Sequence, residues 1–400
     1  MNILYHHRTQ GHGAEGVHIS AIVRGFRKRG HNVVLCSPPG IHPFQNEGGY
    51  VYGDGVSPTA RLWKALSRHA PQIIFEIMEI AYNLVRRRAL ARIIDAGRFD
   101  FIYERHAFFL WVTASLARRR KIPFLLEVNE VTGIPRARPL LLRPLAAWIE
   151  KWVLSRASLI FTVSSYLKER ITSLGVDPGK VIVLPNGVDE KMFSPAQDGS
   201  DVRAAHGLVG KQVVGFVGWI DPWDNLPGLL EAFGELASGR PDLRLLLVGD
   251  VAGKGVRRDF VAEHVERLKL DGRVVHLPCV PREQMPRHIA AMDVCVIPDS
   301  NPFGSPVVLF EFMASGKAVA APSVAPVEDV VVSGINGIVF KNGDGAALRE
   351  SLRRIIEDKP LRERLGRSAR ESVEREHTWG HKAGAVLAGF AGLPQKGDRP

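Results

Sequence analysis

Between Asp293 and Pro322 the chain reads DVCVIPDSNPFGSPVVLFEFMASGKAVAAP, an order of residue types suited to holding a phosphate beside a hydroxyl acceptor. An apolar run (Val294–Pro298) leads into a Gly/Ser/Pro loop, a helical stretch opened by Ser305-Pro306, and a second apolar run (Ala318–Ala321). Ser305 is placed to cap that helix, and Pro306 suits its first position, where no N–H is needed. The amides of Val307 and Val308 then point out of the helix end without partners, which favours an anion and especially a phosphate. Glu311 follows about one turn later, and helical side chains lean back toward the N-terminus. Its carboxylate could accept hydrogen bonds from hydroxyls attached to a phosphate held there. That pair is the minimum kit for a sugar nucleotide.

A second group of chemically capable residues lies in the first half. DFIYERH (Asp100–His106) and PFLLEVNE (Pro123–Glu130) carry Arg105, His106, Glu127 and Glu130 to the ends of two apolar runs. These side chains could contact an acceptor or a donor; equally, Glu127 and Arg105 could form a structural ion pair. Near the N-terminus, Gly11-His12-Gly13-Ala14-Glu15-Gly16 fits G-x-G-x-x-G, after a strand and opening a helix. A dinucleotide site also needs an acidic residue at the end of the next strand, to hold the ribose of NAD. The sequence there is VVLCSPPGIHPF, with no carboxylate before Glu47. The glycines are better read as letting backbone approach a phosphate or sugar. His6, His7, His12 and His18 have no suitably spaced carboxylate and do not make a metal set.

Positioning these residues requires strands and helices in alternation. Strands are predicted at Ile3–Tyr5, Val33–Cys36, Phe101–Tyr103, Phe124–Val128, Leu159–Val163 and Val181–Leu184, with helical patterns at Val17–Arg29, Pro71–Ile94 and Leu140–Arg156. The second half repeats the plan at Val213–Val217, Leu243–Val248, Val274–Leu277, Val294–Ile297, Ala318–Ala321 and Ile338–Phe340. Apolar strands separated by helices imply parallel sheets covered on both faces. The expected fold class is α/β: two doubly wound Rossmann-like domains facing across a cleft, with ligand loops at the carboxyl ends of their strands. The predicted boundaries are 1–190 for an acceptor-side domain, 191–210 for a polar linker, and 211–376 for a nucleotide-sugar domain. Residues 377–392 should form a helix packing back on the first domain, and 393–400 a flexible tail.

Four hundred residues suit two domains, and 45% hydrophobic with 24% charged residues excludes wholesale disorder. No uncharged apolar stretch approaches the roughly 18 residues that span a bilayer. The start MNILYHHRTQGHG has no signal-peptide core, and three scattered cysteines suggest a cytosolic protein with reduced thiols. Residues 1–190 hold 26 Lys/Arg and 15 Asp/Glu, a net of +11, leaving 27 of each sign in the remainder. The excess suits an anionic membrane surface or an acidic substrate, or is a solvated basic face; no nucleic-acid-binding motif accompanies it. The stretch Pro71–Arg92 sets Ile73, Ile74, Ile77, Ile80, Ala81 and Leu84 on one helical stripe ending in arginines. It is compatible with a helix at a membrane interface, or with a core-packing helix ended by cations.

GSPVVLFEFMASGKAVAAP resembles the nucleotide-sugar signature of family 4 glycosyltransferases, retaining enzymes of the GT-B fold. PNGVD (Pro185–Asp189), GFVGW (Gly215–Trp219), LLLVGD (Leu245–Asp250), VPREQMPRHIAAMDV (Val280–Val294), SGINGIVF (Ser333–Phe340) and HTW (His377–Trp379) follow in the expected order, so the resemblance covers nearly the whole chain. It implies a donor site of Gly11, Gly13, Gly218, Trp219, Asp250, Lys254, Ser305, Pro306, Val307, Val308 and Glu311. It also places Asn129 where relatives have a His that contacts the transferred sugar, beside Glu127, Arg105 and His106 as catalytic candidates. No metal and no cofactor beyond the nucleotide diphosphate-sugar co-substrate is implied.

The chain departs from the family pattern at four positions. Trp219 and Asp224 stand where an Arg and a Lys are usual, Val308 where a Lys is frequent, and Phe303 where the first of two glutamates is expected. Lys254, Arg257 and Arg258 are candidate substitutes. The function implied is transfer of a sugar, with retention, to a hydroxyl acceptor that is lipid-linked or a saccharide, in polysaccharide or glycolipid biosynthesis. The setting is cytoplasmic, with the inner membrane face as a further candidate partner and no nucleic acid. A catalytically inactive sugar-nucleotide binder and a nucleotide-sugar epimerase of the same architecture are the alternatives.

Overall fold

The computed structural model describes residues 1–9, 13–38, 71–135, 139–220, 224–250 and 259–394. The chain divides into two compact units, one built from Met1–Leu184 with the C-terminal residues from Lys382, the other from Pro185–His381. In the first, β1 (Asn2–His6), α1 (Gly13–Lys28), β2 (Asn32–Cys36), α2 (Gln72–Gly97), β3 (Phe101–Arg105), α3 (Val112–Arg120), β4 (Phe124–Val128), α4 (Arg143–Leu154), β5 (Leu159–Thr162), α5 (Ser165–Ser173) and β6 (Val181–Val183) alternate. The strands form one parallel sheet in the order β2-β1-β3-β4-β5-β6. Every residue of β3 and β4 is buried, as expected of parallel strands covered on both faces.

The second unit comprises α6 (Ser200–Ala205), β7 (Gln212–Val217), α7 (Leu226–Ala237), β8 (Leu243–Val248), α8 (Phe260–Arg267), β9 (Val274–Leu277), α9 (Met285–Ala290), β10 (Val294–Val296), α10 (Val307–Ala314), β11 (Ala318–Pro322), α11 (Ala325–Glu328), β12 (Ile338–Phe340), α12 (Gly345–Glu357) and α13 (Lys359–Glu376). Its parallel sheet runs β12-β11-β10-β7-β8-β9. Alternating residues serve opposite faces: Val213 and Val217 enter one apolar core, Val214 and Phe216 the other. No helix among the described residues is long and apolar enough to cross a membrane.

Two predicted boundaries need correction. The first unit ends at Leu184, before the expected 190, and residues 191–210 are not a linker. Phe193, Val202 and Leu208 are buried in the core of the second unit, and Arg203 pairs with Asp293 at 2.9 Å. Three apolar anchors among polar neighbours were hidden by the composition of that stretch. The final helix, α14 (Trp379–Ala391), buries Ala383 and Val386 with the first sheet, and the Phe390 ring lies 4.7 Å from that of Phe101. The tail beyond Pro394 is outside the described residues.

At the carboxyl ends of β7 and β8 two backbones touch. Gly218 donates to the Val248 carbonyl, and Gly249, at φ +153°, leaves so little room that an added Cβ would overlap the Gly218 carbonyl oxygen. Gly249→Ala should therefore destabilise the protein by roughly 2–3 kcal/mol through strain and overpacking. Urea denaturation checks this; a loss below about 0.5 kcal/mol would mean the two strand ends part easily.

Candidate functional site

In each sheet the first strand is interior and the strand order reverses beside it, between β1 and β3 and between β7 and β10. Loops diverge at such a point and leave a crevice at the carboxyl ends of the strands. In the second unit the residues past β10 form this rim. Asn301 Oδ1 accepts the amides of Phe303 at 3.2 Å and Gly304 at 2.5 Å, which bends the chain toward α10. The helix then begins at Val307, one residue later than expected, with Pro306 as its cap residue and no side-chain cap. Ser305 does not cap it, because its Oγ accepts the Asn186 amide at 3.2 Å while its carbonyl accepts Asn186 Nδ2 at 2.8 Å. Asn186 of PNGVD thus fixes the loop before the helix.

The consequence for anion binding is unchanged. Leu309 is the first residue of α10 whose amide bonds back, to the Pro306 carbonyl. The half-buried Val307 and Val308 have no amide partner among the described residues, and the helix dipole adds positive potential there. One turn on, Glu311 is 5% exposed. Its Oε1 accepts from Arg282 at 2.8 Å, and its Oε2 accepts from no described residue. Burial pushes the Glu311 carboxyl up, and the Arg282 guanidinium opposes that shift. Arg282 is itself held over the Phe193 ring, 5.3 Å from its centroid. Asn186 Oδ1, also buried, lacks a partner among the described residues.

Other predicted donor residues are placed less tightly. Gly218 and the exposed Trp219 follow β7, and Asp250 follows β8, its carbonyl accepting the Ile220 amide at 2.9 Å. Asp224 precedes Asn225, whose side chain caps α7 by accepting the Gly228 amide at 3.3 Å. Gly13 starts α1 in the first unit, away in sequence from this cluster. Gly11, Lys254, Arg257 and Arg258 lie outside the described residues.

The four catalytic candidates occupy the first unit's strand ends, and three of them form one network. Glu127 is 1% exposed. Its Oε1 accepts from Arg105 at 2.7 Å and Asn129 Nδ2 at 2.9 Å, and its Oε2 accepts from Tyr103 at 2.8 Å and His18 at 3.0 Å. Two donors per oxygen use the capacity of a carboxylate. Burial alone would raise Glu127, yet His18, Arg105 and the buried Lys382 hold it well below the usual range. Of the two readings of Glu127, the structure shows the ion pair with Arg105 at 2.7 Å and all four acceptor positions occupied by the protein itself. Asn129 and Arg105 keep polar atoms beyond this network. The His106 amide donates to the Glu127 carbonyl at 2.7 Å, while its ring stays out of the network, with Nε2 3.3 Å from Glu150 but without a well-formed hydrogen bond. Sequence reading missed Arg282, Asn186, His18, Tyr103 and Lys382. Arg282 was visible only within VPREQM, since its partner is 29 residues away.

Two family profiles match the chain: "Glycosyltransferase Family 4" over residues 15–191 and "Glycosyl transferases group 1" over residues 200–372. The chain belongs to the family 4 glycosyltransferases and has their GT-B α/β fold. A D-inositol 3-phosphate glycosyltransferase of Nocardia farcinica is 29% identical over 60% of this chain and 54% of its own. The chain spans about half the length of the curated relatives it matches. Among solved structures, Anabaena HepE in complex with UDP has a TM-score of 0.72 at 20% identity, covering 98% of this chain and 100% of that one. Sucrose-phosphate synthase from Thermosynechococcus elongatus gives 0.74 at 19%, covering 98% and 99%. At that identity the likeness speaks for the fold.

The Glu127 network carries a pH dependence. Burial lowers His18 to about 4 from its ordinary 6.5, with Glu127 opposing, so near neutrality the ring is uncharged and donates through Nε2. Between pH 6.5 and 4 the unfolded chain binds a proton at His18 that the folded chain does not. Stability must fall as pH falls through that window. Urea midpoints measured across it should decline more in the parent than in His18→Gln; parallel profiles would contradict the assignment.

Proposed function

We propose that the protein transfers a sugar from a nucleotide diphosphate-sugar to a hydroxyl acceptor, with retention at the anomeric carbon. The observation that carries this reading is the pairing of Glu311 with the open end of α10. A buried carboxylate with one free oxygen sits one turn from two unpartnered amides. The amides receive a diphosphate oxygen and stabilise the charge that develops on the leaving group as the glycosidic bond breaks. Glu311 Oε2 accepts from the ribose or sugar hydroxyls. Arg282 keeps that carboxylate ionised and aimed. Gly218, Trp219 and Asp250 complete the donor site in this reading.

Asn129 and Arg105 contact the transferred sugar or the acceptor, with Glu127 fixing both and His106 beside them. The acceptor is lipid-linked or a saccharide, and the pathway is polysaccharide or glycolipid synthesis. The protein works in the cytoplasm, peripheral to the inner membrane face. Supporting this setting, the excess positive charge lies wholly within residues 1–190.

Removing one charge-assisted hydrogen bond costs about 1.5–3 kcal/mol. Glu311→Gln should therefore weaken binding of the preferred nucleoside diphosphate or its sugar by about tenfold or more in calorimetry, after a thermal-shift panel has identified the base. Arg282→Ala should weaken it also and lower the melting temperature, by leaving Glu311 buried without its cation. Labelled donor should yield transfer or slow hydrolysis. Sugar interconversion would point to an epimerase, and donor binding without turnover to an inactive binder.

A further inference from the structure

Helix α2 is built inside out. Its inward face carries Glu76 and Asn83, both fully buried. Glu76 accepts the amides of Leu141 and Leu142 at 2.7 and 2.6 Å, which ties the first turns of α2 to the start of α4. Asn83 Oδ1 accepts the amides of Trp111 and Val112 at 2.9 and 3.0 Å, and its Nδ2 donates to the Phe109 carbonyl at 2.7 Å. The polar side chains thus serve as caps for neighbouring backbone, and Leu90 and Ile94 anchor the far end.

The aliphatic residues face the other way. Ile73, Ile74, Ile77, Leu84 and Val85 are exposed, Leu84 by 69% and Val85 by 76%. Their spacing places them on one stripe of the helix, opposite Glu76 and Asn83. The stripe continues into exposed Arg88 and Arg92. Of the predicted stripe, Ile73, Ile74, Ile77 and Leu84 are exposed and Ile80 and Ala81 partly buried, so the helix packs inward through another face that includes Leu90 and Ile94. Across the Glu76 contact lie exposed Leu141, just before α4, and exposed Leu145 and Trp148 of α4, with Arg143 and Lys151 also exposed on that helix. The acidic groups nearest in sequence are neutralised: Asp95 is held by Arg120, and Glu79 pairs with Arg8 at 2.7 Å.

We propose that this outward face of α2, with the first turns of α4, docks on an anionic lipid surface. Exposed aliphatic side chains and an exposed Trp, rimmed by arginines without an acidic partner among the described residues, match the interfacial layer of such a membrane. There, apolar groups enter the acyl boundary and cations meet the headgroups. The charge argues against a second copy of this chain as occupant, since two such basic faces repel. The proposal gives a surface to the peripheral-membrane part of the function above and rests on that part of the reading.

The test is co-sedimentation of the full-length protein with vesicles of phosphatidylcholine alone or mixed with phosphatidylglycerol. The parent should bind the mixed vesicles, and salt should weaken that binding. Ile77→Glu with Leu84→Glu should lower the partition coefficient about tenfold. Arg88→Glu with Arg92→Glu should abolish the preference for anionic lipid. UDP and the other nucleoside diphosphates, titrated in parallel, should bind parent and variants alike. Equal binding to neutral vesicles, or partitioning unchanged in the Ile77/Leu84 variant, would overturn the proposal. So would a parent dimer that becomes monomeric in that variant without any vesicle binding. Vesicle binding in a parent that binds no nucleotide would support this surface and count against the donor site alone.

Discussion

An interior first strand is the constraint on which both units depend. β1 lies between β2 and β3, and β7 between β8 and β10. The chain must build outward on one side and later return to the other, so the loops beyond these neighbouring strands separate. A gap lined by strand ends results, whatever the loops contain. In the second unit the start of α10 follows the end of β10, and its Val307 and Val308 amides have no partner among the described residues.

Of the five glutamates buried among the described residues, three contrast in how they are satisfied. Glu76 accepts two backbone amides, and Glu127 accepts four donors. Both are satisfied by the protein itself and hold elements in place. Glu311 has one cation and one vacant oxygen, and burial pushes its carboxyl up. Its Oε2 is not among the enclosed atoms that lack a partner, so it is an acceptor open to solvent, the group that the proposed donor would use. The same comparison explains why Glu127, prominent in the sequence, belongs to the framework. Its network includes a neutral His18 and a Lys382 that burial lowers to about 8.

The strands were legible because each is a short apolar run bounded by turn residues, and all twelve lie where the sequence places them, within a residue or two. The signature from Gly304 to Pro322 likewise exposed the helix, its free amides and Glu311. Capping was misjudged. Ser305 looks like a cap locally, but Asn186, 119 residues away, claims its hydroxyl. Long-range partners also hid Arg282, Tyr103 and Lys382, since sequence spacing cannot reveal a contact between distant strands. The 191–210 stretch failed for a related reason: Phe193, Val202 and Leu208 are too few to register as an element, yet each fills a specific hole in the core. Helix α2 was ambiguous because its apolar stripe is genuine while its buried face is polar, the reverse of the usual pattern.

The central claim is that α10 and Glu311 form one ligand site. A crystal structure grown with a nucleoside diphosphate tests it most directly. The account predicts a phosphate oxygen within about 3 Å of the Val307 and Val308 amides, and a ligand hydroxyl donating to Glu311 Oε2. A diphosphate ordered elsewhere, with those amides and that oxygen meeting only water, would contradict it.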